Sequence, residues 1–391
     1  MFDWVGLLLR VVYFYSHFIG LSNFVYDWRT GRVFTSLRTT LQAITINALT
    51  VMALIFYWTG QSNANFVFRS ANKLHEYVVI IMSGLRITAG LVTVLNRWLQ
   101  RSQTMKLSRE IVCLYMANPQ VKKMIRWGLL LKFFTGGVTD LFQVVISVSA
   151  LGQLDSSAIV GVTLHTLISF ILNLAISQHY FIILFVRGQY EIVNIKLRQV
   201  IIESLRLSYL QRREGAFMTR CCHLSDQLED IGKVQSQLQS ILVEVAEIFG
   251  IQGLMAYAGY YISCIGDYYM TYSIYRYGPE TLNMSVRTMF LAGSWCFFYY
   301  LDGTINCLNM LYVRDHHNKM LRLLEERTVF ASRLDVRLEE SFESLQLQLL
   351  QKPLTMDIMG MFPITRSATA AMIGSIIANS IFLIQFDMEY F

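Results

Sequence analysis

Apolar residues fall in blocks of about twenty, the length a helix needs to cross a hydrocarbon core about 30 Å thick. Seven blocks stand out, at Leu41–Gly60, Tyr77–Asn96, Gly128–Leu151, Ser157–Val186, Ile241–Ile265, Val286–Val313 and Ser367–Phe386. The opening stretch MFDWVGLLLRVVYFYSHFIG is apolar as well, but Asp3 stands where a signal peptide would be basic and Arg10 interrupts the run. Its Trp4, Tyr13, Phe14 and Tyr15 predict an amphipathic helix lying in the inner membrane interface. The pattern as a whole predicts an all-α polytopic membrane protein with seven transmembrane helices.

Two polar stretches keep a helical period. In LEDIGKVQSQLQSILVEVAEIFG, Leu228, Ile231, Val234, Leu238, Ile241, Val245 and Ile248 recur at spacings of three and four, which predicts a helix running out of the cytosol into the fifth crossing. RLEESFESLQLQLLQKPLTM repeats the theme with Phe342, Leu345 and Leu349 until Pro353 breaks it. These long helices either pack as a stalk on themselves or form an oligomerisation bundle.

Composition agrees with a membrane chain: 54% hydrophobic, 15% charged and a mean hydropathy of +0.41. The net charge of +6 raises the alternative of nucleic-acid binding, and the distribution of basic residues removes it. Segments 1–40, 97–127, 187–240 and 314–366 hold four, seven, eight and eight Lys or Arg, whereas the alternate segments hold only Arg69, Lys73 and Arg276. By the positive-inside rule the N-terminus is cytoplasmic and the C-terminus extracellular. That orientation is the reverse of a G-protein-coupled receptor. It divides the chain into a cytoplasmic segment 1–40, six crossings in 41–313, a cytoplasmic segment 314–366, and a last crossing with a short outer tail in 367–391. Asn283-Met284-Ser285, the one glycosylation pattern, falls outside. The six cysteines offer no extracellular disulfide framework, and no residue set predicts a metal or cofactor. Cys221-Cys222 is expected to be a reduced or lipidated pair and His316-His317 a solvated loop.

The last block has two faces. At 100° per residue, Ala371, Gly374, Ser375, Ala378, Phe382 and Gln385 share one arc of about 100°, and bulky aliphatic residues fill the rest. The small residues would permit close helix packing, but an amide facing lipid is costly, so Gln385 should meet protein or water. Several copies around an axis would place Ala378 and a Phe382 ring along a conduit, Gln385 near its mouth, and Asp387 and Glu389 at the exit, attracting cations.

Here the chain resembles the insect gustatory receptors, the fly bitter-type members especially. Their last span carries Thr-Tyr, five hydrophobic residues and Gln-Phe. Ser380–Ile384 followed by Gln385-Phe386 match the second part, while Ala378-Asn379 replace Thr-Tyr. The approach KPLTMDIMGMFPITRS, with Pro353, Met356, Gly360 and Phe362, is also similar to the family's segment. The resemblance implies a ligand-gated nonselective cation channel of the plasma membrane of gustatory neurons. It implies a homo- or hetero-tetramer with related subunits, embedded in membrane lipid, and a small-molecule tastant, bitter compounds foremost, bound in an outward pocket. It implies no enzyme.

The outer halves of the fourth to sixth crossings offer His165, Ser169, Tyr257, Tyr260, Tyr261, Phe290, Ser294, Trp295, Phe298 and Tyr299 as pocket lining, an aromatic wall with few polar groups. Interfacial aromatic belts would give the same composition. Arg86, Asp140 and Asp302 share one depth and are expected to neutralise one another. An auxiliary subunit of a mixed receptor fits the same signature, and a secondary transporter fits it less well for want of paired broken helices.

Overall fold

The computed structural model describes residues 3–27, 32–59, 73–151, 156–209, 214–278, 286–328 and 334–390. Ten helices dominate the described residues: α1 (Trp4–Phe18), α2 (Leu37–Thr59), α3 (Lys73–Leu99), α4 (Arg101–Ala117), α5 (Val121–Leu151), α6 (Ser156–Tyr209), α7 (Glu214–Tyr277), α8 (Val286–Thr328), α9 (Val336–Gln351) and α10 (Arg366–Tyr390). Two small antiparallel ribbons complete them, β1 (Val25–Tyr26) with β2 (Val33–Phe34), and β3 (Asp357–Ile358) with β4 (Phe362–Pro363). Each of the seven apolar blocks lies on its own helix as far as the described residues reach. Among the described residues, six helices are long and apolar enough to cross a membrane by length and composition. The sixth block is on α8, which is 43 residues long but interrupts its apolar run with Asp302, Asn306 and Asn309. Asn283 lies outside the described residues.

The helices are far longer than a bilayer requires. α6 has 54 residues and α7 has 64, roughly 80 and 95 Å at 1.5 Å per residue against a core of about 30 Å. Their surplus packs into a bundle with α8 and α9. Leu228, Ile231, Leu238, Ile241, Val245 and Ile248 of α7 are buried there, together with Leu338, Phe342, Leu345 and Leu349 of α9. The stripe read from the sequence is therefore covered within the same chain, so the stalk packs on itself. α7 and α9 run parallel, with polar pairs fixing their register: Ser225 Oγ to Ser341 Oγ at 2.6 Å and Gln348 Nε2 to Gln235 Oε1 at 2.6 Å. Gln235 is fully buried in this seam, so a slip would leave its side-chain oxygen without the Gln348 donor.

Two readings of that region change. His317 is 1% exposed on α8, edge-on to the Tyr190 ring at 6.2 Å, and burial pushes its imidazole pKa down. It is a core residue rather than a loop one. Cys221 is fully buried in the same core, which leaves no room for a lipid chain on its thiol.

In the membrane half, small residues let helices approach. A Cβ on Gly188 of α6 would stand 2.8 Å from Ile125 of α5, and one on Gly128 of α5 would stand 2.6 Å from Leu184 of α6. α1 buries Val5 and Ser16 but exposes Trp4, Leu7, Val11, Phe14 and Phe18, an apolar stripe at three- and four-residue spacing. Asp3 caps this helix and pairs with Lys122 at 2.9 Å, which holds its carboxyl below the usual range.

Between α9 and α10 the chain makes the hairpin β3–β4, whose turn places Met359 and Gly360 at φ of 53° and 68°. Gly360 takes this left-handed region freely. The hairpin rests on α7, where a Cβ on Gly250 would come within 3.1 Å of Met359. Thr365 then caps α10 by accepting from the Ala368 amide at 3.0 Å, and Arg366 pairs with Asp315 of α8 at 2.7 Å.

Candidate pore helix and ligand cavity

α10 packs chiefly on α7 and touches α8 near its start, through Arg366 to Asp315 and Thr369 to Cys307. Ile376, Ser380 and Asp387 are its buried residues, and only 11% of its apolar window is buried, against 39% for α6 and α7. The face carrying Ala371, Gly374, Ala378, Phe382, Gln385 and Glu389 points away from α7 and is exposed, Phe382 at 67%. Ser375, at the margin of that face, shares a hydrogen bond of 2.7 Å with the Tyr261 hydroxyl. Asn379 also donates to that hydroxyl, at 2.8 Å, so the residue at the family's Tyr position ties α10 to α7. Phe386 is 39% exposed and tilts against Tyr390.

Asp387 departs from its expected place. It is fully buried and accepts hydrogen bonds from Tyr269 Oη at 2.9 Å and Tyr277 Oη at 3.0 Å, both on α7. Two residues beyond Gln385 is a rotation of about 200°, which carries its carboxylate off the exposed face and onto the neighbouring helix. Glu389, another two residues on, returns to the exposed face.

The pocket candidates divide. Arg86 of α3 stacks over Trp295 at 4.9 Å and Tyr299 at 5.2 Å, those two rings stack at 5.1 Å, and Tyr260 adjoins Tyr299 at 4.8 Å. His165 is half-buried on α6, and the Ser169 hydroxyl is spent on the His165 carbonyl at 2.9 Å. Phe298 turns to Phe134 and Phe142 of α5, Phe290 is 74% exposed, and Ser294 bonds back to the Phe290 carbonyl. Tyr261, as noted, faces α10.

The charge cluster also differs from expectation. Asp302 of α8 pairs with Lys132 of α5 at 2.5 Å and accepts from Thr135 at 2.8 Å, while Asp140 accepts from Asn173 at 2.8 Å. Arg86 stands apart on its aromatic rings, so the cation that neutralises Asp302 is Lys132. Lys132 is 1% exposed and sits inside an apolar block, where its long stem reaches across the α5–α8 contact.

A cavity of about 300 Å³ lies among α6, α7, α8 and α10, lined by Leu172, Ile176, Gln252, Tyr257, Tyr260, Asn306, Met372 and Ile376 among others. A narrow cleft of about 10 Å³ beside Arg86 shares Leu172, Ile176, Ala256 and Tyr260 with it. Tyr257 and Tyr260 were expected to line a pocket. Gln252 and Asn306 were missed because, in sequence, each is one amide in an apolar run and only the packing shows that they share a void.

A bundle of membrane-length helices, a long helical stalk and a terminal helix with one small and polar face define a polytopic helical membrane protein. The chain belongs to the 7tm chemosensory receptor family, whose model matches residues 9–390. It is 59% identical over 391 residues to gustatory receptor 36b of Drosophila melanogaster and 49% identical over 390 residues to gustatory receptor 36c of the same species, each match covering all of both chains. Its fold is similar to the insect olfactory receptor OR5 from Machilis hrabei, with a TM-score of 0.69 at 12% identity, covering 98% of this chain and 100% of that one. The same receptor in complex with eugenol matches with a TM-score of 0.55 at 13% identity, covering 97% and 98%.

Proposed function

We propose that this gustatory receptor is a ligand-gated, nonselective cation channel of the plasma membrane of chemosensory neurons, opened by small-molecule tastants, bitter compounds foremost. Counting α8 with the six apolar helices gives seven crossings, and the basic segments place the N-terminus inside. Four subunits, alike or mixed with related receptors, surround a conduit lined by α10, and the bundle of α6 to α9 anchors them on the cytoplasmic side.

One observation carries this reading. α10 turns its small and polar face, with Gln385 and Glu389, away from α7, the helix it packs against most closely. In lipid that face would strand an amide and a carboxylate, whereas around a water-filled axis both are solvated. Ala378 then gives the conduit width, Phe382 forms the constriction, and Glu389 supplies the negative mouth that favours cations. The Arg86, Trp295, Tyr299 and Tyr260 cluster is the aromatic outer site. The small-molecule complex formed by the olfactory receptor of similar fold supports a ligand among these helices.

The test is whole-cell current in non-neuronal cells expressing the chain alone and with related subunits, under a panel of bitter compounds with G-protein signalling blocked. The expected current is fast and reverses near zero, and Gln385→Ala changes its relative ion permeability. Current that appears only on co-expression, with permeability unmoved by Gln385→Ala, would assign this chain an auxiliary role. No current in any combination despite surface expression would contradict the channel.

A further inference from the structure

Four cations gather where α1 and α5 begin. Asp3, the cap of α1, pairs with Lys122 of α5 at 2.9 Å and ties the two helices together at this end. Its carboxyl is held below the usual range by that hydrogen bond first, and the charge of Arg10 adds to the effect. Seven residues make about two turns, so Arg10 stands on the same flank of α1 as Asp3, along the seam with α5. On α5, at about 100° per residue, Arg126 falls between Lys122 and Lys123 and one turn further along. Arg10, Lys123 and Arg126 are exposed, and neither Lys123 nor Arg126 pairs with a carboxylate among the described residues. Asp3 is the only carboxylate in segments 3–18 and 119–139, so the seam keeps an excess of positive charge. Beyond the cations each helix turns an apolar stripe outward. The stripe of α1 begins at Trp4, and that of α5 runs through Met124, Trp127, Leu131 and Phe134 at the same three- and four-residue spacing. The Arg126 guanidinium lies 5.9 Å from the Trp127 ring, at the base of the α5 stripe.

We propose that the seam between α1 and α5 binds an anionic phospholipid of the inner leaflet, with its headgroup phosphates on Arg10 and Arg126 and its acyl chains against the two stripes. Cations at the base and apolar surface beyond them match the order of parts in one phospholipid. Guanidinium groups suit the headgroup because each presents a planar fork of N–H donors that fits phosphate oxygens two at a time. Lys122 stays with Asp3, and Lys123 adds charge from the flank. A soluble polyphosphate would satisfy the same cations but leave both stripes unused, so the membrane is the source. The assignment to the inner leaflet rests on the reading of the N-terminus as cytoplasmic, whereas the chemistry of the headgroup does not.

The test is native mass spectrometry of the purified full-length chain in detergent, titrated with dioleoyl phosphatidylinositol 4-phosphate and, separately, with dioleoyl phosphatidylcholine. One saturable adduct per chain is expected for the anionic lipid, about tenfold tighter or more than for the zwitterionic one. Arg10→Gln combined with Arg126→Gln, in protein that still elutes as a monodisperse peak, should weaken that binding roughly thirtyfold. Arg126→Lys, which keeps the charge and loses the fork, should weaken it less than Arg126→Gln. Lys196→Gln combined with Arg198→Gln, at exposed positions of α6 away from the seam, should leave it within about twofold. Equal affinity for the two lipids, or anionic binding unaltered by the Arg10 and Arg126 replacements, would overturn the site and leave these cations as a topology signal or a surface for an acidic protein segment. Displacement of the lipid by equimolar inositol 1,4-bisphosphate would overturn the membrane as the source. The readout is independent of current, so a silent channel that binds the lipid as described keeps the site and loses only the pore, whereas a conducting channel without the preference loses only the site.

Discussion

Lys132→Met is expected to remove most folded receptor from the cell surface and to lower the midpoint of thermal unfolding in detergent, as read by the loss of the monodisperse peak on heating. Lys132 and Asp302 form the one ion pair among the described residues in which the lysine is almost wholly buried. Removing the cation leaves a carboxylate inside the helix bundle with only Thr135 as a side-chain donor, a change of about 3–5 kcal/mol. The double variant Lys132→Met with Asp302→Leu should recover most of the loss, since an apolar pair of similar size carries no desolvation cost. Arg86→Met should be far milder, because Arg86 is held by ring faces rather than by that carboxylate. Equal loss in the single and double variants would show that Lys132 acts by something other than its pairing.

Asp387→Ala is expected to loosen the outer end of α10. Its carboxylate accepts from two tyrosine hydroxyls of α7, and hydrogen bonds to a charged group contribute about 1.5–3 kcal/mol each. Amide hydrogen exchange over residues 380–390 should then accelerate by roughly ten- to a hundredfold, with the α7–α9 bundle unchanged. Tyr269→Phe and Tyr277→Phe should each produce a smaller acceleration in the same segment. Exchange unaltered in Asp387→Ala would mean that the helix is held at this end by its other contacts.

Much of the architecture was legible because the bilayer imposes it. A crossing must show about twenty apolar residues, so every block lay on a helix, and a helical period survives into water, so the α7 stripe was visible. What covers that stripe was not visible, since the parallel pairing of α7 with α9 depends on Gln235 meeting Gln348 across more than a hundred residues of chain. The exposed face of α10 followed from its 100° step. The same step, applied to Asp387, already points that residue at the opposite side, and only the attraction of a second carboxylate for a pore mouth argued otherwise. Lys132 was overlooked because a lysine inside an apolar block reads as the block's edge until Asp302 is placed beside it. The cavity amides were overlooked for a related reason: one Gln or Asn in an apolar run does not identify its neighbours.

The most direct measurement is thiol modification along α10 during ligand-evoked current, using a charged, membrane-impermeant methanethiosulfonate on single cysteine variants of a background lacking the six native cysteines. Ala378→Cys, Phe382→Cys, Gln385→Cys and Glu389→Cys should react from the outside and change the current, while Ile376→Cys and Ser380→Cys on the face packed against α7 should not. Reaction confined to the packed face, or current unaffected at every position despite modification, would contradict a pore along this helix.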